Sequence, residues 1–155
     1  MGRTINSLTV QSARVHFSVL EGEMKVLICG SRNINDPALV SQAVSQIGTI
    51  PTHIISGGAR GVDKLAAVYA ASQGIEFTEY QADWERYGKR AGFIRNYAMV
   101  GNADAVIAVW DGTSPGTKHS IDLARSCRKR VFVFLHEAGG AELSASRRVI
   151  EENLP

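Results

Sequence analysis

The chain has 155 residues, 17 Lys plus Arg against 15 Asp plus Glu, and two cysteines, so by length it is one domain with a core that needs neither disulfides nor a structural metal. A balanced charge argues against recruitment of nucleic acid or a membrane surface by bulk electrostatics, and no segment approaches the roughly 20 apolar residues that span a bilayer. Cys29 and Cys127 show neither CxxC spacing nor a His/Cys cluster; both read as structural thiols of a reducing, cytoplasmic compartment, and no metal site is expected.

Residues 1 to 23 form an extension with partial period-two alternation (Val15, Phe17, Val19), readable as an extra strand or a leader pairing at an edge. Residues 24 to 155 read as a single α/β domain. "KVLICG" is a first strand, and "DPALVSQAVSQIG" a helix with an Asp cap, a Pro at its first position and a terminal Gly48. "THIIS" is a second strand, followed by a helix from about Arg60 to Gln73 that stops at Gly74. "IEFTEY" is a third strand, "KRAGFIRNYAMVGN" a third helix, "DAVIAVW" a fourth strand, "SPGTKHSIDLARSC" a fourth helix and "RVFVFL" a fifth strand, with a last helix from about Leu143 to Asn153.

Apolar strands alternating with helices imply a Rossmann-like, doubly wound parallel sheet of about five strands, order 3-2-1-4-5, with helices on both faces. Ligands of such sheets bind beyond the carboxyl ends of the strands, where the winding reverses. Three strand ends there carry unusual residues: "GSRN" after the first, "SGGARGVD" after the second and "WDGTSPGT" after the fourth. In the second, Gly57, Gly58 and Gly61 allow close backbone approach to a ligand, the following helix start favours an anion, and Arg60 adds a forked cation. As a plain turn, the same loop needs only its glycines, with Asp63 capping the helix. In the third, Ser114 fits an N-cap and Pro115 the first helical position, leaving the amides of Gly116 and Thr117 to face the crevice beside Asp111 and Gly112. Two helix starts facing one space suit a phosphorylated ligand. Gly30, Ser31 and Arg32 are weaker candidates from the first loop. The segment "QADWERYGKRAGFIRN" mixes Asp83, Trp84, Tyr87, Lys89, Arg90, Arg95 and Asn96, a set that stacks a nucleobase or merely packs over the sheet edge. His119 is a candidate acid or base one turn into the fourth helix.

In order, "CGSR", "SGGARGVDKLAAVYA", "ADWERYGKRAGFIRN" and "AVWDGTSPGTKHSIDLA" resemble the YspA-like branch of the SLOG superfamily, Rossmann-like domains related to the LOG phosphoribohydrolases and to the sheet domain of the DNA-processing protein DprA. The resemblance runs from Lys25 to about Leu135. It implies a pocket for a nucleotide or nucleotide-derived ligand (ADP-ribose-like, NAD-like or cyclic), held by a sensor or sequestering protein with no required cofactor. Carried over position by position, the ligand contacts are Gly30, Ser31, Arg32, Gly57, Gly58, Arg60, Gly61, Asp63, Asp83, Trp84, Lys89, Arg95, Asn96, Asp111, Gly112, Ser114, Gly116, Thr117 and His119. The alternative is an N-glycoside hydrolase acting on nucleoside monophosphates. Hydrolytic relatives read Gly-Thr-x-x-Glu at the fourth helix, whereas this chain places Ser120 at the Glu position, which leaves Asp111 and His119 as weak catalytic candidates and the enzyme assignment open. The expected partners are a small nucleotide derivative and further copies of the chain, with nucleic acid unexpected and no membrane.

Overall fold

The structure, a computed structural model, describes residues 22–137. The expected extra strand in residues 1 to 23 and the expected last helix from Leu143 lie outside the described residues, apart from the two residues that lead into the first strand. Five strands, β1 (Lys25–Gly30), β2 (His53–Ser56), β3 (Glu76–Glu79), β4 (Ala105–Trp110) and β5 (Arg130–Leu135), form one parallel sheet in the order β3-β2-β1-β4-β5. Four helices connect them as crossovers: α1 (Pro37–Gln46), α2 (Val62–Gln73), α4 (Ala91–Asn102) and α5 (Pro115–Ser126). A single-turn helix, α3 (Trp84–Tyr87), and a 3₁₀ turn (Gly88–Arg90) precede α4. The doubly wound α/β arrangement is thus the one the alternation of apolar runs implies.

Side chains alternate across a strand, and β1 shows both results of that alternation. Val26 and Ile28 pack with Leu39 and Val40 of α1 and Val62 and Ala66 of α2, while Leu27 and Cys29 pack with Met99 and Val100 of α4 and Ile121 and Ala124 of α5. Burying each large aliphatic side chain stabilises the fold by roughly 1.5–3 kcal/mol, so a strand buried on both faces must be apolar throughout. The edge strand β3 departs from that pattern. Glu76, Thr78 and Glu79 are exposed and only Phe77 is part-buried, because one side of the edge lies open to water.

Helix limits follow their caps. Asp36 accepts a hydrogen bond from Ala38 N–H at 3.0 Å ahead of Pro37, as its place in the sequence suggests, and α2 ends at Gly74 with φ of 65°. α2 begins at Val62, two residues later than the pattern predicts, and α4 at Ala91 rather than Lys89, since Gly88 (φ 55°) breaks the run and leaves α3 as a separate turn.

Candidate functional site

A cavity of about 500 Å³ opens beyond the carboxyl ends of β1 and β4, at the point where the winding reverses. Each of the three strand-end loops contributes to it: Gly30, Arg32 and Asn33 after β1, Ala59 and Asp63 after β2, and the run Asp111 and Ser114 to Thr117 after β4. Helices α4 and α5 supply Arg95, Asn96, Met99 and Ser120, and Cys29 lines it from β1.

What draws the loops together is Ser31, which is wholly buried. Its N–H donates to Val109 O at 3.1 Å, its carbonyl accepts from Val62 N–H at 3.3 Å, and its Oγ accepts from Asp111 N–H at 2.9 Å. One residue therefore ties β1 to both the β2 and β4 loops. Ser31 is inside the wall rather than on the cavity surface. Gly30 beside it must be glycine: a Cβ there would stand 2.1 Å from Val109 O and 2.6 Å from Val62 Cγ2.

The two glycine-rich loops, similar in sequence, differ in what their amides do. In the β2 loop, Asp63 turns back to accept from Ala59 N–H at 3.0 Å, and Val62 N–H is taken by Ser31. Gly61 has φ of 76° and lies against the Ser31 carbonyl and the Arg32 backbone, while Gly58 faces Glu79. Gly57, Gly58, Arg60 and Gly61 are not on the cavity wall. At the start of α2 the Val62 amide is thus taken by the protein itself and the loop glycines stay off the wall, so the expectation of two helix starts presented alike to one space is corrected. The Asp63 carboxylate sits on the loop amide of Ala59 and adds negative charge beside it.

The β4 loop is open at α5. Asp111 Oδ1 accepts from Thr113 N–H at 2.9 Å and Ser114 N–H at 2.8 Å, and Ser114 Oγ lies 3.0 Å from both Asp111 Oδ2 and Ser31 Oγ. Ser114 occupies the N-cap position but makes no side-chain cap bond, because its hydroxyl is turned to these partners. Gly116 and Thr117, in the first turn of α5, line the cavity, and the amides at such positions have no partner within their own helix. Gly112 takes φ of 85° in the turn and stays off the wall.

Two arginines and two carboxylates face this space. Arg32 is exposed at the mouth, and Arg95 Nη1 donates to Gly57 O at 3.0 Å while its Nε is buried without a partner. Burial pushes the Asp63 carboxyl above its ordinary 3.8, against the opposing pull of the Ala59 N–H and the Arg95 charge. Asp111 moves the other way: burial raises it, but the donors from Ser114, Thr113 and Ser31 together hold it at about 2. The Cys29 thiol is pushed up by burial and by Asp63, which makes it an unreactive wall residue. Cys127, read as its structural counterpart, is instead exposed at the end of α5.

The remaining candidates stand outside the wall. Asp83 caps α3 by accepting from Arg86 N–H at 3.0 Å, and Trp84 and Lys89 are exposed. His119 is held by Asn96, whose Nδ2 lies 3.2 Å from Nδ1, and its ring packs edge-on to Phe93 at 4.5 Å. Burial lowers its pKa, opposed by Asp122, so the ring is neutral at physiological pH; it does not line the cavity. Cavity residues that were not among the expected ligand contacts are Cys29, Asn33, Ala59, Met99, Pro115 and Ser120. Of these, Ser120 was legible as a departure from the hydrolytic motif, Cys29 as a structural thiol and Pro115 as a helix-opening proline; Asn33, Ala59 and Met99 carry no distinctive signal in sequence.

Residues 24–87 match the model of the YspA, cpYpsA-related SLOG family. The chain is also 39% identical over 107 residues to the Gene 61 protein of Mycobacterium phage D29, spanning 61% of this chain and 83% of the phage protein. It belongs to the YspA, cpYpsA-related SLOG family. Among solved structures, the fold of this SLOG protein is similar to that of DNA processing protein A from Helicobacter pylori, a protein with a unique single-stranded DNA binding mode. That similarity has a TM-score of 0.55 at 21% sequence identity and covers 79% of this chain and 70% of the other. The neighbour corrects the expectation that nucleic acid is an unlikely partner. Net charge is a whole-chain sum, whereas contact with phosphates depends on local cations, and Arg86, Lys89 and Arg90 are exposed within five residues of one another. Among the described residues no helix is long and apolar enough to cross a membrane.

Proposed function

We propose that this SLOG protein binds a nucleotide or nucleotide-derived phosphorylated ligand in the cavity at the β1–β4 switch point, as a sensor or sequestering protein. The observation that carries the reading is the uncapped α5 amino terminus, with Gly116 and Thr117 on the cavity wall and Arg32 and Arg95 lining the same space. Helix-terminal amides together with guanidinium groups favour a phosphate oxyanion over a neutral group. Asp63 and Asp111 oppose a second phosphate on their side, where sugar hydroxyls donating to carboxylates fit better. Titration calorimetry with nucleoside monophosphates, cyclic nucleotides and ADP-ribose tests this. Heat is expected with at least one of them, weakened about tenfold or more by Arg32→Ala. Silence with all three classes overturns the reading.

Cleavage of an N-glycosidic bond is the second reading, and the pair of carboxylates in one cavity favours it. Their environments push them apart, Asp63 up and Asp111 down, the pattern by which one carboxyl serves as an acid and another stays ionised. Against it, Ser120 lines the cavity where hydrolytic relatives carry glutamate, and three donors occupy the Asp111 oxygens. Release of free base from a nucleoside monophosphate, abolished in Asp63→Asn, is the result this reading requires; intact nucleotide after long incubation removes it.

A further inference from the structure

Seven large hydrophobic residues are exposed among the described residues, and five of them fall between Trp84 and Tyr97: Trp84 at 56%, Tyr87 at 38%, Phe93 at 57%, Ile94 at 39% and Tyr97 at 65%. The clustering needs a cause, since single exposed apolar side chains are ordinary and a contiguous group is not. At 100° per residue, Arg90, Phe93, Ile94 and Tyr97 share one sector of the α4 surface, roughly 100° wide. The neighbouring sector holds Asn96 and Met99 and faces the cavity. Trp84 lies against Gly92, where an added Cβ would sit 3.5 Å from the indole, and Gly92 precedes Asn96 by one turn. Phe93 in turn contacts His119, which Asn96 holds. The aromatic face is therefore continuous with the cavity mouth but separate from its wall.

Cations are interleaved with these rings. The stretch from 84 to 97 carries Arg86, Lys89, Arg90 and Arg95 against a single acid, Glu85. Arg95 is turned to the cavity; the other three are exposed, and the Arg86 guanidinium lies 5.1 Å from the Tyr87 ring centroid. A second copy of the chain suits this surface poorly. A twofold contact sets a patch against itself, and here that would oppose three cations to the same three. A polyanion with flat apolar faces matches both features.

We propose that α3 and the amino-terminal half of α4 form a docking surface for a single strand of nucleic acid, its bases stacked on Trp84, Phe93 and Tyr97 and its backbone phosphates met by Arg86, Lys89 and Arg90. The surface does not require the cavity to hold a nucleotide. Stacking on aromatic rings is tolerant of base identity, so the interaction is selective for unpaired strands rather than for sequence. Bases within a duplex are already stacked and cannot reach the rings.

Fluorescence anisotropy of a labelled 20-nucleotide thymidylate strand, titrated with the full chain, tests the proposal beside a duplex of the same length. The single strand is expected to bind at least tenfold more tightly than the duplex. Three phosphate contacts predict about a 20-fold loss of affinity between 50 and 200 mM salt. Tyr97→Ala, which removes an exposed ring, is expected to weaken binding between about 5-fold and about 150-fold. Lys89→Ala weakens it less and lowers the salt dependence. Tyr97→Ala retains the calorimetric response of the cavity to nucleotides, so failure of this proposal and failure of the cavity reading give different results. No anisotropy change at 50 mM salt, or equal affinity in the parent, Tyr97→Ala and Lys89→Ala, overturns it. So does concentration-dependent sedimentation that Tyr97→Ala abolishes while no strand binds, which would assign the face to a second copy.

Discussion

The loops after β2 and β4 pose the same pattern, glycines at a strand end running into a helix, yet they do opposite things. The β2 loop is filled from within. Asp63 occupies Ala59 N–H, Ser31 occupies Val62 N–H, and the glycines lie against neighbouring chain. The β4 loop folds its acid, Asp111, back onto its own turn and so leaves the start of α5 facing the cavity. The difference lies in which amides are taken: each loop folds its own acid onto loop N–H groups, but the first-turn residues Gly116 and Thr117 of α5 line the cavity whereas Val62 N–H of α2 is bonded to Ser31.

The contrast predicts unequal responses to a single methyl group. Gly61→Ala should destabilise the fold by about 3 kcal/mol or more, since the residue has φ of 76° and its added Cβ would sit 2.3 Å from the Ser31 carbonyl. Urea denaturation measures this. A loss below about 1 kcal/mol would mean that the β2 loop has room to move and is not closed as described.

Asp111→Ala should cost about 1 kcal/mol at neutral pH through the lost turn bonds. The pH dependence sharpens the comparison further, because the two acids tilt stability in opposite directions. Asp111 is depressed from 3.8 to about 2, so its contribution is present above pH 3.8 and fades as pH falls toward 2. Asp63 is raised, so its contribution is present below pH 3.8 and is lost as pH climbs through its folded value. Urea midpoints from pH 2 to 7 should therefore show a flatter acid limb for Asp111→Ala, and for Asp63→Asn a gain over the parent that disappears below pH 3.8. A loss of stability in Asp63→Asn at neutral pH would indicate that its bond to Ala59 outweighs the burial of its charge.

The smallest effect belongs to Gly116→Ala. Nothing lies within 4 Å of its added Cβ and its φ is ordinary, so stability should stay within about 0.5 kcal/mol of the parent or rise slightly. Set beside Gly61→Ala, that outcome separates a glycine required by packing from one that leaves space.

Much of this molecule could be read from its residues in order. The apolar runs from Val26 to Cys29, Ile54 to Ile55 and Ala105 to Val109, each leading into a helical pattern, determined a parallel sheet, because such strands must be covered on both faces, and the order expected of such a doubly wound sheet is the one found. That order in turn named the three loops whose residues line the cavity. Tertiary structure alone decided which of them stays open. The partners that close the β2 loop and pin the wall come from afar: Glu79 beside Gly58, Arg95 beside Gly57, Ser31 bonded to Asp111 eighty residues away. The same holds for α4, which buries Asn96, Met99 and Val100 and leaves Phe93, Ile94 and Tyr97 exposed. Hydrophobic pattern is local and survives in sequence; occupancy of an amide or a surface is a question of what arrives from elsewhere in the chain.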